Sequence, residues 1–139
     1  MSFRPPGSLI LVGTLLALGF TGAATSLAVQ RWQSKSNAAA AAHELTEGDA
    51  KLGKATFRDR GCGGCHSITA HEGADGKVGP PLDGFAARSF IAGDMPNDPQ
   101  HLMVWIQHPQ AHRPGVGMPE TSLNDAETRN VAAYLYTLK

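Results

Sequence analysis

Five consecutive residues, Cys62-Gly63-Gly64-Cys65-His66, constrain this chain more than any other stretch. The spacing C-x-x-C-H is the pattern by which a protein bonds a haem through two thioethers and offers the next His to the iron as an axial ligand. A zinc site would need four ligands, and these two cysteines are the only ones in the chain. A thioredoxin-type dithiol would lie in a βαβ pattern, which the surrounding sequence does not have. The motif therefore predicts one covalently attached haem c.

Length and composition fit one small domain plus an appendage. The chain has 139 residues, of which 16 are Gly and 9 are Pro. Such a composition suits long loops that wrap a prosthetic group, which then supplies part of the apolar core. Residues 43–139 hold all 12 acidic residues but only 9 of the 12 basic ones, so this part carries a formal charge of −3. No basic stripe is present, and we expect no nucleic-acid partner.

The amino-terminal segment is long and apolar enough to cross a membrane. Leu9 to Val29 contains 21 residues without a charge, between Arg4 and Arg31. At about 1.5 Å per residue such a helix is about 32 Å long, which matches a hydrocarbon core of about 30 Å. We therefore predict a transmembrane anchor at residues 1–30. Residues 31–45 are rich in Ala and are predicted to be a linker that either extends this helix or forms a semi-rigid stalk.

A cleaved signal peptide is the alternative. Its apolar part would be Leu9 to Phe20, and Gly22-Ala23-Ala24 would be the cleavage region. The uncharged run continues beyond Ala24, which favours the uncleaved anchor. Both interpretations export the remainder of the chain. Because c-type haem is attached outside the cytoplasm, we expect the haem domain on the periplasmic side of a bacterial inner membrane.

Residues 46–139 are predicted to form an all-helical haem domain. The first helix is expected to begin at Thr46 as its cap, with acidic residues in the first turn, and to end near Arg60. Asn124 to Glu127 reads as a capping box for the last helix. That helix has an apolar face from Val131 to Leu138, and Gly53 would allow it to approach the first helix closely.

A middle helix is predicted to begin at Asp98-Pro99 and to end before Pro109. Trp105 lies on its inward face with Leu102 and Ile106. It is large enough to pack on a porphyrin, although an ordinary core position explains it equally well.

The next stretch, residues 108–119, is predicted to be non-helical and to bring a sixth ligand to the iron. Met118 lies between Gly117 and Pro119, where the backbone can approach closely. The rival ligands are Met95, Met103, His112, His108 and His71. A backbone carbonyl near Pro80 could hold the second ring nitrogen of His66. From the residues alone, an ordinary turn at Pro80 is equally possible.

Several of these residues together resemble class I cytochrome c over residues 46–139. They are Gly48-Asp49, Gly53-Lys54, Phe57, Cys62 to His66, Val78-Gly79-Pro80, Leu82, Pro109, Pro114-Gly115, Met118 and the helix from Val131 to Leu138. More narrowly, Arg88, Ala92-Gly93, Pro96-Asn97 and the run from Leu102 to Met118 resemble the cytochrome c domain fused to subunit II of some haem-copper oxidases.

The resemblance implies a fold of three or four helices around one haem. It implies His66 and Met118 as axial ligands and the Pro80 carbonyl as acceptor from His66. Trp105 would lie beside the methionine face, Arg88 would bind a haem propionate, and Leu82 would contact the haem. The copper-binding part of subunit II has no counterpart here, so we do not expect that oxidase subunit. Because the domain is acidic, the lysine ring by which mitochondrial cytochrome c docks does not carry over.

These observations predict a membrane-anchored monohaem electron carrier of a respiratory or photosynthetic chain, rather than an enzyme. Its expected partners are membrane redox complexes, namely a cytochrome bc-type donor and a terminal oxidase or dehydrogenase acceptor. One alternative is a fixed subunit of a larger dehydrogenase or oxidase complex, for which Gly13, Gly19, Gly22, Ala23 and Ala24 would allow close helix packing. Another is a haem sensor or peroxidase-like enzyme with an open sixth site.

Overall fold

A computed structural model describes residues 7–139, apart from the side chains of residues 8–10. Residues 1–6, with Arg4 and the start of the predicted anchor, lie outside the described part. Residues up to Ser36 and residues 37–139 form two compact units. The helices are α1 (Gly7–Thr46), α2 (Ala50–Asp59), α3 (Pro99–Gln107), α4 (Pro109–His112) and α5 (Asp125–Tyr136). Two 3-10 turns (Cys62–Gly64 and Phe85–Ala87) and two short strands, β1 (Phe90–Ile91) and β2 (Met95–Pro96), complete the structure.

The part of helix α1 that lies in the first unit is mostly apolar. Its large side chains there are exposed, with Leu16 at 70 % and Phe20 at 78 %. Among the residues that the structure describes, α1 is the one helix with the length and composition to cross a membrane. A signal sequence near an amino terminus meets the same criterion.

The last turns of α1 belong to the second unit. Ala38, Ala42 and Thr46 lie four residues apart and are 8 %, 1 % and 2 % exposed. Residues at this spacing share one helix face, so this face is buried against the domain. The expected linker is thus helical throughout residues 31–45, and its end is packed.

Thr46 closes α1 and does not cap α2, so the predicted cap was wrong. Its hydroxyl donates to the carbonyl of Ala42 at 2.7 Å and accepts from the N–H of Gly48 at 3.1 Å. Glu47 then leaves the helix with a φ of 56°. Asp49 is the cap of α2 and accepts from the N–H groups of Lys51 and Leu52. The first turn of α2 therefore has no acidic residue, contrary to the prediction.

Helices α2 and α5 cross at Gly53. A Cβ atom there would clash with the carbonyl oxygen of Asn130 and would lie 2.9 Å from the Cβ of Tyr134. No residue larger than Gly allows this approach. The predicted capping box of α5 is confirmed: Asn124 accepts from the N–H of Glu127 at 2.9 Å and Glu127 accepts from the N–H of Asn124 at 3.0 Å.

The all-α prediction is confirmed, with one small sheet among the described residues. In this antiparallel hairpin, Phe90 pairs with Pro96 and Ile91 with Met95. The prediction of no helix in residues 108–119 was wrong, because Pro109–His112 forms one helical turn. Pro109 stands at the start of this turn, where its missing N–H costs no hydrogen bond.

Candidate haem site

The second unit contains a cavity of about 740 Å³. Its walls come from α2, α3 and α5, the Cys62–Gly64 turn, and the segments 65–93 and 113–123. Buried apolar side chains line much of it: Leu82, Phe85, Ile91, Leu102, Ile106, Val131 and Leu135. Protein interiors have few voids larger than a water molecule, so a space of this size fits a large apolar prosthetic group.

The C-x-x-C-H motif forms part of the cavity wall. Gly61, with a φ of 71°, turns the chain after α2 into the Cys62–Gly64 turn. The N–H groups of Cys65 and His66 both donate to the carbonyl of Cys62, at 3.2 and 3.0 Å. This tight turn brings both half-buried thiols and the His66 ring to the same cavity. The residues present therefore fit a haem held by two thioethers and one imidazole.

His66 is oriented by the loop that follows the motif. Its Nδ1 lies 2.9 Å from the carbonyl oxygen of Pro80, so the ring donates from Nδ1 in the tautomer that leaves Nε2 free to bind a metal. Gly79 lies against the ring, because a Cβ atom there would be 2.6 Å from Nδ1. The N–H of Gly79 also donates to the carbonyl of Cys65 at 2.8 Å. The loop and the imidazole are thus held at a distance that only Gly permits.

Arg88 and Leu82 support the same loop. The guanidinium of Arg88 donates to the carbonyls of Pro81 at 2.5 Å and Asp83 at 3.1 Å. Leu82 is 7 % exposed and contributes an apolar wall. The charged side chains that line the cavity, His66 aside, are Arg60, Arg88, Arg113 and Glu120.

Of these three arginines, Arg88 alone has no carboxylate partner among the described residues. Arg60 pairs with Glu127 at 2.6 Å, and Arg113 pairs with Asp94 at 3.0 Å. The Arg60 guanidinium also holds the pKa of the Glu127 carboxyl below its usual value. Arg88 is therefore the lining arginine that is available to pair with a haem carboxylate. The propionate role of Arg88 stays a prediction.

Met118 and Trp105 line the cavity, but the rival ligands do not. Within the part of the chain that the structure describes, His66 and Met118 are the only His or Met residues in the lining. Three rival histidines have other partners: the hydroxyl of Tyr134 for His71, Glu120 for His108 and Asp94 for His112. Met95 is 6 % exposed in the core, and Met103 packs against that core.

Some residues of the site were not found from the sequence. Phe85 and Ile91 line the cavity from a 3-10 turn and a two-residue strand, which are too short to show a period. Gln110 was also missed, although its side chain contacts the backbone on both sides of Gly117. No local pattern marks a Gln that contacts a loop six to eight residues away.

A cavity of this size with a C-x-x-C-H motif in its wall defines a protein that attaches haem covalently. The model of the cytochrome c family matches residues 50–139, and the chain belongs to this family. The predicted class I cytochrome c fold and the haem c cofactor are thereby confirmed.

Curated relatives include oxidase subunits and a separate cytochrome. The chain is 33 % identical over 97 residues to cytochrome c oxidase subunit 2 of Alkalihalophilus pseudofirmus, covering 69 % of this chain and 28 % of that protein. It is 29 % identical over 94 residues to the protein of the same name from Bacillus subtilis, covering 65 % and 26 %. It is 36 % identical over 106 residues to a cytochrome c-type cyt cy of Rhodobacter capsulatus, covering 66 % and 50 %.

The chain thus spans about a quarter to a half of the length of these relatives. No solved structure matches it significantly.

Proposed function

We propose that this chain is a membrane-anchored monohaem cytochrome c that transfers single electrons in a respiratory or photosynthetic chain, to or within a terminal oxidase. His66 and Met118 are the axial ligands, and Cys62 and Cys65 form the thioethers. One observation carries the proposal: of all described His and Met residues, only these two line the cavity. The membrane anchor is residues 1–30, the linker is residues 31–45 and the haem domain is residues 46–139.

The residues around the cavity suit an electron carrier better than a catalyst. Haem iron that alternates between its ferrous and ferric states takes up and releases one electron. His66 is fixed in tautomer and ring angle by Pro80, and Met118 would close the sixth position to substrates. A His/Met pair gives a higher reduction potential than two histidines, which suits the oxidising end of an electron-transfer chain. Trp105 and Leu82 exclude water from the haem, and Arg88 binds a propionate.

Substitution of Met118 tests the ligand assignment. The ferrous wild-type protein should bind carbon monoxide poorly at neutral pH, because Met118 occupies the sixth position. Met118→Ala should bind it readily and should have a lower reduction potential. Met103→Leu is the matched control, since Met103 packs against the core outside the cavity. Ready binding of carbon monoxide by the wild type would instead support the sensor or peroxidase-like alternative.

Anchoring is supported by the apolar exposed surface of α1 before Gln30. We place the anchor in a bacterial inner membrane with the haem domain on its periplasmic side. After cell lysis, the haem-stained protein should sediment with membranes and should resist extraction at alkaline pH. Its release into the soluble fraction would support a cleaved signal peptide.

The second candidate function is a fixed subunit of a larger membrane oxidase or dehydrogenase complex. It is favoured by the relatives named cytochrome c oxidase subunit 2, which the chain matches over about a quarter of their length. Purification in mild detergent distinguishes the two. Co-elution with other haem or copper subunits supports a fixed subunit, whereas elution as a single haem protein supports a free carrier that the anchor keeps near its partners.

A further inference from the structure

The loop that carries Met118, residues 113–119, has few backbone hydrogen bonds. The N–H of Arg113 donates to the carbonyl of Pro109 at 2.9 Å, and the N–H of Val116 donates to the carbonyl of Arg113 at 3.2 Å. Within the described chain, the N–H groups of Gly117 and Met118 have no acceptor in the protein. An exposed loop with so few backbone bonds would ordinarily sample several conformations.

The side chain of Gln110 bonds to other backbone groups of this loop. Its Nε2 donates to the carbonyls of Val116 and Met118, both at 2.7 Å. Its Oε1 accepts from the N–H of Gly115 at 3.0 Å. Both partners of the nitrogen are carbonyl oxygens and the partner of the oxygen is an N–H group, so the opposite amide orientation would lose all three bonds.

Gln110 is itself held in place. It lies in α4 next to Pro109, which is fully buried. Its N–H donates to one carboxylate oxygen of Glu120 at 3.3 Å, and His108 donates to the other at 3.0 Å. The hydroxyl of Thr121 donates to the carbonyl of Ile106 at 2.9 Å. Hydrogen bonds thus hold the residues before and after the loop, and the Gln110 side chain holds its middle. We call the three side-chain bonds of Gln110 the brace.

We propose that Gln110 is a positioning residue that holds the 113–119 loop in the shape that presents Met118 to the iron. The inference rests on the proposed role of Met118 as the sixth ligand. Without the three hydrogen bonds of Gln110, the loop can adopt other conformations, so that Met118 dissociates from the iron more easily. One or two neutral hydrogen bonds correspond to about tenfold in such an equilibrium.

The test compares Gln110→Ala and Gln110→Glu with the wild-type holoprotein. The far-red absorption band of ferric haem with a methionine ligand is followed as pH is raised. We expect Gln110→Ala to lose the band about one pH unit lower, which is about a tenfold change in release. Gln110→Glu should lose it at least as readily, because a carboxylate would face the carbonyls of Val116 and Met118.

Gln107→Ala is the matched control. Gln107 also bonds through its side-chain amide, to the carbonyl of Leu123 at 3.3 Å and to Asp125 at 3.0 Å, away from the Met118 loop. If the Gln110 variants lose the band at the same pH as Gln107→Ala, Gln110 does not position Met118. If the wild type lacks the band at every pH, Met118 is not a ligand and the inference falls together with that part of the proposed function.

A measurement on the wild type decides the question if the variants do not fold. Amide hydrogen exchange is measured for Gly115 and Gly117, which are both exposed glycines of the same loop. Gly115 donates to Gln110 and should exchange slowly, whereas Gly117 should exchange quickly. Equal rapid exchange at both amides would show that the brace is absent.

Discussion

At the scale of single residues, Gly79 controls the space available to the His66 ring. The Cβ atom of an alanine would lie 2.6 Å from Nδ1, so either the ring or the loop must move. We expect Gly79→Ala to lower the free energy of unfolding of the holoprotein by about 1–3 kcal/mol, the usual cost of overpacking. The bond to Pro80 should weaken, which makes the imidazole a less basic ligand and should raise the reduction potential. Unfolding and potentiometric titrations measure both effects.

Gly64→Ala is the control for this prediction. Gly64 lies within the same motif, but a Cβ atom there would meet nothing within 4 Å. Its substitution should leave both the potential and the midpoint of unfolding nearly unchanged. Equal effects of the two substitutions would contradict the proposed role of Gly79.

His71 makes folding depend on pH. Burial lowers the pKa of its imidazole, and the nearby charges of Lys54 and Arg58 lower it further. Its Nδ1 lies 2.8 Å from the hydroxyl of Tyr134. Because the unfolded chain titrates near about 6.5, the unfolded state binds more protons than the folded state just below that pH. The contribution of neutral His71 to the free energy of unfolding is therefore fully present above this pH. It is lost as pH decreases toward the lowered pKa of the folded state.

We expect the free energy of unfolding to decline as pH falls below about 6.5, with at most about 1.4 kcal/mol per pH unit from His71. His71→Gln should flatten this decline in denaturant titrations. Tyr134→Phe removes the hydrogen bond but keeps the imidazole, so it should lower stability and preserve the slope. An unchanged slope in His71→Gln would show that another group is responsible.

At the scale of elements, the end of α1 is part of the haem domain. Ala42 is 1 % exposed, and the groove beside this part of α1 is lined on its other side by Asn97, Pro99 and Tyr136. Tyr136 donates to the side chain of Asn97 at 3.1 Å, and burial raises its pKa to about 12. A larger side chain at Ala42 would separate the helix from this surface.

Ala42→Leu should therefore lower the free energy of unfolding by about 1–3 kcal/mol, the usual effect of overpacking. Ala40→Leu is the matched control, because Ala40 lies on the exposed side of the same helix and should change stability by less than about 0.5 kcal/mol. Chemical denaturation of the detergent-solubilised holoprotein measures both. Equal stabilities would mean that residues 37–46 act as a free linker.

At the scale of the whole molecule, the haem is part of the core. A cavity of about 740 Å³ lies among the side chains that should form that core. Without the haem, the buried apolar side chains that line this cavity would lose their packing partner and would meet water. The domain should therefore fold only with its cofactor.

A Cys62→Ser, Cys65→Ser variant tests this dependence by preventing covalent attachment. We expect its exported domain to lose most of its helical circular dichroism beyond the membrane segment and to show no cooperative thermal transition. Gly64→Ala, which keeps both thiols, should behave as the wild type does. A haem-free variant with a normal transition would show that the apolar walls close without the cofactor.

Much of this protein can be predicted from local sequence signals. The haem attachment, the cap at Asp98, the capping box at Asn124 and the apolar face of α5 all depend on residues within a few positions of one another. The α2–α5 crossing at Gly53 was also predictable, because a glycine opposite an apolar helix face has few other uses. The spacing of residues along the chain determines both the haem attachment motif and helix periodicity, and this spacing can be read directly from the sequence.

The sequence by itself determined that this chain attaches a haem and has one segment able to cross a membrane. Only the tertiary structure showed that the rival Met and His residues lie outside the cavity lining, and that Thr46 ends one helix without starting the next. It also decided that Gln110 braces the Met118 loop. These features depend on contacts made by aperiodic loops, whose paths are set by the packing of distant residues and the space around the haem.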